Sequence, residues 1–292
     1  MTSYPSISVI VPSFNQGEFI EETLLSILNQ NYPNLEILVL DAGSTDRTVE
    51  VIQKYESQLA YWHSKPDKGQ ADAINQGMAL SSGEILCWLN SDDLYLPGTL
   101  LDVGQRFRGM VDRNYLIYGD TRFLYQSGKP KGASDVQCAA PFDPMMLTYY
   151  DYIAQPSAFW TRKLWQEVGN LELDYYYVLD WDWLIRAAKI AEFEYVQQFY
   201  AVYRIHDSHK TGNGGSKRKQ EVLEIVSKHS SEYWIELYQQ VDASYNEIKP
   251  LMRRLGKLGI PNREWFASLL LPELRTKLQH PQDLFKVLAM YS

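Results

Sequence analysis

Ile85-Leu86-Cys87-Trp88-Leu89-Asn90-Ser91-Asp92-Asp93 sets five apolar residues directly against an amide, a hydroxyl and two adjacent carboxylates. The apolar part does not alternate, so a strand made from it is covered on both faces, as in a parallel sheet packed between helices. Ligands of open α/β sheets sit just beyond the carboxyl ends of such strands. Acids placed there can hold a divalent cation against a phosphate. Asn, Ser and Asp are equally favoured in turns and helix caps. The stretch alone therefore identifies a strand and leaves the task of its acids open.

Upstream the same design repeats. Ile7 to Phe14 predicts a strand whose central portion ends at Pro12. From Phe19 to Gln30, Phe19, Ile20, Leu24, Ile27 and Leu28 share one helical stripe. Leu35 to Leu40 predicts a second buried strand closing on Asp41-Ala42-Gly43-Ser44-Thr45-Asp46, where Ser44, Thr45 and Asp46 are N-cap candidates for a helix bearing Val49, Ile52 and Tyr55. Leu59 to His63 predicts a short third strand, and Asp67-Lys68-Gly69 leads into a helix with Ala71, Ile74 and Met78, stopped by Gly83. Strands alternating with helices imply a right-handed, parallel, doubly wound sheet.

Composition narrows the function. The chain has 292 residues, enough for one large domain or a domain with an appendage. Net charge is −8 with a pI of about 5.2, which gives no electrostatic case for nucleic acid. Cys87 and Cys138 form no disulfide framework, and Cys87 in a buried strand behaves as a small apolar group. The N-terminus, Met-Thr-Ser-Tyr-Pro, lacks the segments of a signal peptide. No apolar run approaches the roughly 20 residues that cross a bilayer, so the expected location is cytoplasmic.

Three predicted strand ends, Pro12-Ser13-Phe14-Asn15, Asp41-Ala42-Gly43 and Asn90-Ser91-Asp92-Asp93, open on one edge, the nucleotide-binding side of such sheets. No Gly-x-Gly-x-x-Gly follows the first strand and no Walker lysine is present, which argues against a dinucleotide fold and a P-loop. A metal-assisted nucleoside-diphosphate site fits these residues better.

Val9-Ile10-Val11-Pro12-Ser13-Phe14-Asn15, Asp41 to Asp46 and Asn90 to Asp93 resemble the family-2 glycosyltransferases of the GT-A fold. The likeness continues in order through Lys68-Gly69, Asn75-Gln76-Gly77, Gln155-Pro156-Ser157, Asp180-Trp181-Asp182 and Tyr203-Arg204-Ile205-His206. Each block is weak alone and the ordered set is specific. The resemblance implies a Rossmann-like, mainly parallel central sheet flanked by helices, and an inverting transfer of sugar from a nucleotide-diphosphate donor, with a UDP-sugar the first expectation. It implies that Pro12, Phe14, Asn15 and Asp41 line the base and ribose pocket. Lys68, Gly69, Asn90, Ser91 and Asp93 then also lie at the donor. Asp92, matching the last acid of an Asp-x-Asp motif, and His206 would bind Mn²⁺ or Mg²⁺. Asn90 stands where many members have the motif's first acid.

The resemblance places Asp180 at the catalytic-base position, with Asp182 as the rival; Leu179 replaces a frequent Glu. Read locally, Asp180 is equally a helix N-cap. Tyr177, Trp181 and Trp183 would suit sugar stacking or an aromatic core. Further on, Pro97 marks a helix start before Leu100, Leu101 and Phe107. Tyr115 to Tyr125 predicts a strand paired across Gln126 to Lys129, in which Asp120 is either a diphosphate or acceptor contact or a turn acid. Tyr195 to Ile205 predicts the strand that delivers His206, followed by a glycine-rich segment, Asp207 to Gly215, of lid-like composition. His209 and Lys210 in it need no function, although Lys210 could meet phosphate.

The expected division is a GT-A domain over residues 1–215, with a nucleotide-binding half to about 98 and an acceptor half from 99, then a helical C-terminal extension over 216–292. Lys249, Arg253, Arg254 and Lys257 with Leu251, Leu255 and Leu258 form a basic amphipathic segment, read either as a solvated helix face or as a peripheral contact with the inner face of the plasma membrane. The tail could equally mediate a homodimer. The expected function is metal-dependent hexosyl-type transfer to a saccharide or lipid-linked saccharide in polysaccharide or glycolipid biosynthesis, with no nucleic-acid partner. The rivals are a sugar nucleotidyltransferase and a non-catalytic nucleotide-sugar-binding homologue.

Overall fold

β1 (Ile7–Ser13) is buried at every position, as its unbroken apolar run requires. The computed structural model describes residues 4–126, 134–137, 139–207, 209–210, 215–257 and 277–291. β2 (Leu35–Asp41) pairs parallel with β1 from Ile7↔Leu35 to Ser13↔Asp41. α1 (Ile20–Leu28) joins them and buries Ile20, Leu24 and Ile27. β3 (Tyr61–Ser64) pairs parallel with β2 after α2 (Thr48–Tyr55), which buries Thr48, Val51, Ile52 and Tyr55 rather than the expected Val49. After α3 (Gln70–Leu80), β4 (Ile85–Trp88) pairs parallel on the other side of β1, from Ile7↔Ile85 to Ile10↔Trp88. The expected parallel block is present in full.

Pro12 does not end the strand as expected. The Ile7 amide donates to Asn34, and the Ser13 carbonyl accepts from Ala42, so odd-numbered residues of β1 face β2. Even-numbered ones face β4, whose pairing stops when the Leu89 amide donates to Ile10. The missing N–H of Pro12 therefore falls where no strand needs it.

Gly77 explains part of the Asn75-Gln76-Gly77 block. A Cβ there would lie 2.6 Å from Ile10 Cγ2 and 2.9 Å from Leu40 Cδ2, so only glycine lets α3 approach β1 and β2 this closely. Asn75 acts in the same segment: its Nδ2 donates to the Leu171 carbonyl and its Oδ1 accepts from the Leu171 amide, both at 2.9 Å.

The second half of the sheet is mixed. It contains β5 (Leu94–Tyr95), β6 (Tyr115–Tyr125), β7 (Ser134–Gln137), β8 (Ala158–Thr161) and β9 (Glu192–Ile205). The order across the sheet is β3-β2-β1-β4-β8-β6-β9-β5, with β7 beside β6. β8 runs antiparallel to both β4 and β6, whereas β6 and β9 are parallel with register shifts between Tyr118 and Thr121. β5, a two-residue strand absent from the sequence reading, pairs antiparallel with β9. The turn expected at Gln126 to Lys129 lies mostly outside the described residues, as do most of the lid-like segment, Cys138 and Leu258. α4 (Thr99–Arg106) starts after Gly98, which takes φ +85°, one residue beyond Pro97.

The chain divides into two compact units, one of residues 1–143 with 152–209, the other of 144–151 with 210–292. The sequence division at 215/216 assigned 144–151 to the first part. The first unit also holds α6 (Arg162–Val168) and α7 (Leu179–Ala187), and its core runs from Ile7 to Ala201. The second contains α5 (Pro144–Leu147), α8 (Gly215–His229), α9 (Glu232–Ala243), α10 (Tyr245–Lys257) and, as the last described helix, α11 (Pro281–Met290), which opens at Pro281. Tyr149 stacks on Trp234 at 3.6 Å, and the Tyr238 hydroxyl donates to the Tyr149 carbonyl, tying the short segment to α9.

Candidate active site

The carboxyl ends of β1 and β2 are stitched together by their own loops. The Asn15 amide donates to Ser44 Oγ at 2.7 Å, Asn15 Oδ1 accepts from the Thr45 amide at 2.9 Å, and the Gly17 amide donates to Asp46 Oδ2 at 2.9 Å. Asn15 takes φ +51°, a left-handed conformation asparagine tolerates. Asp46 thus ties the loops and also caps the start of α2, its Oδ1 accepting from the Thr48 amide at 3.0 Å, although Arg47 holds the N-cap position itself. Phe14 stands out of this loop with 58% of its surface exposed, while Pro12 is buried beneath.

Asp41 is fully buried, and its carboxylate accepts from the Gly43 and Ser44 amides, the Ser44 hydroxyl and the Ser64 hydroxyl. Four donors match the roughly four acceptor positions of a carboxylate. In this conformation Asp41 builds its loop rather than facing a base. Gly69, φ +108°, precedes α3, and its amide donates to Asp67; Lys68 is exposed with its amide on Asp72. Burial pushes the Asp67 carboxyl above its usual range.

The turn after β4 is a different construction. Thr23 Oγ1 of α1 lies within hydrogen-bond reach of both the Ser91 and Asp93 carbonyls, at 3.0 and 2.8 Å, and pins the buried Ser91 from below. Asp93 is buried; its Oδ1 accepts from the Arg204 amide and its Oδ2 from Asn90 Nδ2. Burial pushes its carboxyl well above the usual range, the adjacent Asp92 adds to that, and the Arg204 and Asn90 hydrogen bonds oppose it. Asn90 Oδ1 accepts from Gln70 Nε2 at 2.7 Å, so the amide at the first motif position joins the turn to the start of α3.

Asp92 points elsewhere. Its Oδ2 lies 3.0 Å from His206 Nε2, and the two come from residues 114 apart in sequence. β9 delivers His206, and the Phe19 ring packs on its imidazole at 4.3 Å while also receiving the Arg204 guanidinium at 5.0 Å. Arg204 is buried and its terminal nitrogen meets Glu22 at 2.7 Å. A carboxylate with an imidazole is a donor set suited to Mn²⁺, and a carboxylate alone to Mg²⁺. Their 3.0 Å separation also equals the edge between neighbouring ligands on an octahedral ion bound at about 2.1 Å. Among the described residues no three His, Cys, Asp or Glu side chains gather for a metal. Two protein ligands suit an ion that takes its remaining ligands from substrate phosphates and water.

Asp180 and Asp182 separate cleanly. Asp180 is half-buried in the first turn of α7, where a negative charge is favoured, and its Oδ1 accepts from the Trp181 amide at 2.9 Å. Asp182 is 0% exposed and pairs with Arg186 Nε at 2.8 Å, whose other nitrogens donate to the Val168 and Asn170 carbonyls. Asp182 is thus occupied in fixing α7. Trp181 and Trp183 are fully buried, with Trp183 on Trp160 at 4.8 Å and Trp165 at 5.3 Å, so they are core and not sugar platforms. Tyr177 remains half-buried. Asp120 is buried under the Ala139 amide and the Tyr195 hydroxyl, each donating to its Oδ1 at 2.8 Å, which gives it an anchoring task.

Sequence reasoning missed Gln70, Thr23, Phe19 and Arg204 as supports of this corner. Gln70 follows Lys68-Gly69, and Arg204 lies inside the Tyr203 to His206 block, so both were at blocks already noticed without a supporting task being read for them. Phe19 was read only as a helix stripe residue.

A sequence profile described as "Glycosyl transferase family 2" matches residues 8–131. An uncharacterized glycosyltransferase of Mycobacterium tuberculosis (strain CDC 1551 / Oshkosh) is 31% identical over 197 residues, 66% of this chain and 72% of that protein. A PGL/p-HBAD biosynthesis glycosyltransferase of Mycobacterium bovis (strain BCG / Pasteur 1173P2) is 31% identical over 186 residues, 62% of this chain and 69% of that one. Among solved structures, S. aureus TarS 1–349 in complex with UDP superimposes with a TM-score of 0.62 at 16% identity, covering 98% of this chain and 87% of TarS 1–349. The same protein in complex with UDP-GlcNAc gives 0.61 at 15% identity, with 98% and 91% covered.

Proposed function

Because the chain belongs to glycosyl transferase family 2, we propose that it moves a sugar from a nucleoside-diphosphate donor, a UDP-sugar, to a hydroxyl of a saccharide or lipid-linked saccharide with inversion at the anomeric carbon. The observation that carries the site is the meeting of Asp92 and His206 at the sheet edge. UDP and UDP-GlcNAc in the TarS structures support the donor class, and the M. bovis relative is named for PGL/p-HBAD biosynthesis.

The residues divide the work by what they can reach. Phe14 offers an exposed ring face to the base. Asn15 and the loop it ties to Ser44 and Thr45 hold that ring at the sheet edge. Asp180 takes the proton of the acceptor hydroxyl on a carboxylate oxygen as the new glycosidic bond forms and the bond to the diphosphate breaks. One in-line displacement inverts the centre and needs no carboxylate nucleophile. Asp92 and His206 would hold Mn²⁺ or Mg²⁺, which when bound supplies positive charge to the leaving diphosphate. Phe19 holds the His206 ring, and Arg204 with Asn90 holds Asp93, so the turn keeps Asp92 at the corner.

Thermal unfolding with UDP, with and without Mn²⁺, tests the site directly. Stabilisation should follow RT ln(1 + [L]/Kd), about 2.7 kcal/mol at a hundredfold excess over Kd. Its Mn²⁺-dependent part should vanish in Asp92→Ala. Transfer is then read on a panel of UDP-sugars and saccharide acceptors. Absence of nucleotide stabilisation would overturn the donor reading. Stabilisation with neither transfer nor slow donor hydrolysis would identify a binding protein, the outcome that Asn90 and Leu179 would then explain.

A further inference from the structure

Charge is unevenly distributed along the chain. Residues 1–209 carry 15 Lys and Arg against 27 Asp and Glu, whereas residues 210–292 carry 13 against 9. Such asymmetry within an acidic protein marks a segment that meets an anionic partner. On α10 the excess becomes a surface. Lys249, Arg253, Arg254 and Lys257 are exposed, and none of them has a carboxylate within ion-pair distance among the described residues. Lys249 alone has a ring contact, 5.3 Å from the Tyr245 centroid.

Successive helix residues turn by about 100°. Lys249, Arg253 and Lys257 therefore share one narrow arc, and Arg254 widens it. Ile248 and Leu255, both buried, lie opposite and hold the helix on its own unit. Glu247, the one acid of α10, lies at the edge of the arc, about 20° from Arg254 and well away from Lys249, Arg253 and Lys257. From Lys249 to Lys257 the rise is about 12 Å. The result is a row of cations facing outward, on either side of Pro250, on a helix whose apolar side is already used.

We propose that this α10 face is an electrostatic docking surface for an anionic lipid bilayer. Four exposed cations on one face, without carboxylate partners among the described residues, complement a layer of anionic headgroups. Because Ile248 and Leu255 are committed inward, contact is by charge without insertion, and salt releases it.

The test is cosedimentation of the full chain with vesicles, without donor or acceptor, so that its outcome is independent of the transferase reading. The chain should bind phosphatidylcholine vesicles containing about 30% phosphatidylglycerol, a surface of the anionic kind, and dissociate in high salt. Each cation near such a surface contributes roughly a fivefold gain. The triple variant Arg253→Gln, Arg254→Gln, Lys257→Gln should therefore bind about a hundredfold more weakly. It should do so at an unchanged unfolding midpoint, and the matching Arg253→Lys, Arg254→Lys variant should retain binding. Equal binding to pure phosphatidylcholine, undiminished binding by a folded triple variant, or no binding to anionic vesicles would each overturn the proposal. Full competition by soluble polyphosphate at equal charge would overturn it in favour of a soluble polyanion.

Discussion

Asp41 and Asp92 end or follow strands on either side of β1, yet their surroundings differ in kind. Asp41 is sealed at the end of β2 with four donors from its own loop and from Ser64. The Asp92 side chain keeps 18% of its surface and faces His206. The first loop is held by backbone amides and hydroxyls donating to the Asp41 and Asp46 carboxylates, between segments close in space and register. The second corner is held by buried charge and rings, with Asp93, Arg204, Phe19 and Thr23 beneath. A carboxylate whose acceptor positions are all used stabilises; one with room left can take a ligand. Identical residue types on one sheet edge thus divide between architecture and chemistry.

The same division recurs with larger effects on α7. Asp180→Asn should lower turnover about a thousandfold, within the range of a lost general base, and leave UDP stabilisation intact. Asp182→Asn should instead cost about 3–5 kcal/mol in urea unfolding, because Arg186 loses its buried partner. If Asp182→Asn were inactive and fully stable, the base would have to be reassigned.

At the strand ends the contrast is somewhat smaller. Asp41→Ala orphans four donors and should cost roughly 3 kcal/mol. Asp92→Ala should keep the midpoint and reduce kcat/KM about a hundredfold, as loss of transition-state charge stabilisation does. A folded, inactive Asp41→Ala would break the distinction. Phe19→Leu keeps the core filled but removes the ring under His206. A drop of about tenfold in kcat with little change in acceptor KM is expected, as for a displaced support of a ligating histidine.

The smallest effect is one of pH. Burial, followed by the neighbouring Asp92, raises the Asp93 carboxyl well above its usual range. Its stabilising contribution is present below the ordinary Asp range and is lost as pH climbs through the raised value, where the buried group must ionise. Asp93→Asn lacks that titration. The difference in melting temperature between variant and parent should therefore become more favourable to the variant from pH 5 to pH 8. A constant difference would show that Asp93 does not change charge across this interval.

The parallel block was legible because Val9, Ile10 and Val11, and likewise Leu38, Val39 and Leu40, are consecutive apolar residues that leave no polar face for solvent. Strands that are interior on both sides announce themselves by lacking alternation. β5 was not legible, since Leu94 and Tyr95 are too few to show a period. Pro12 misled because a strand break depends on which neighbour needs the N–H, a property of the sheet and not of the residue. Trp181 and Trp183 illustrate the same gap: aromatics at helical spacing do not disclose what faces them, and Trp160 and Trp165 arrive from other elements. The candidate acids were visible as residue types. Their tasks depended on partners such as Ser64, Arg186 and His206, which sequence distance conceals.

The span between Asp92 and His206 also has a consequence for biogenesis. During synthesis β1 to β4 can pair as soon as they emerge, but β9 arrives last in the sheet and carries the histidine. Long-range closures of this sort come late in folding. A nascent chain halted before β9 would own most of the parallel scaffold and lack the corner, and so would be inert until its final strand docked.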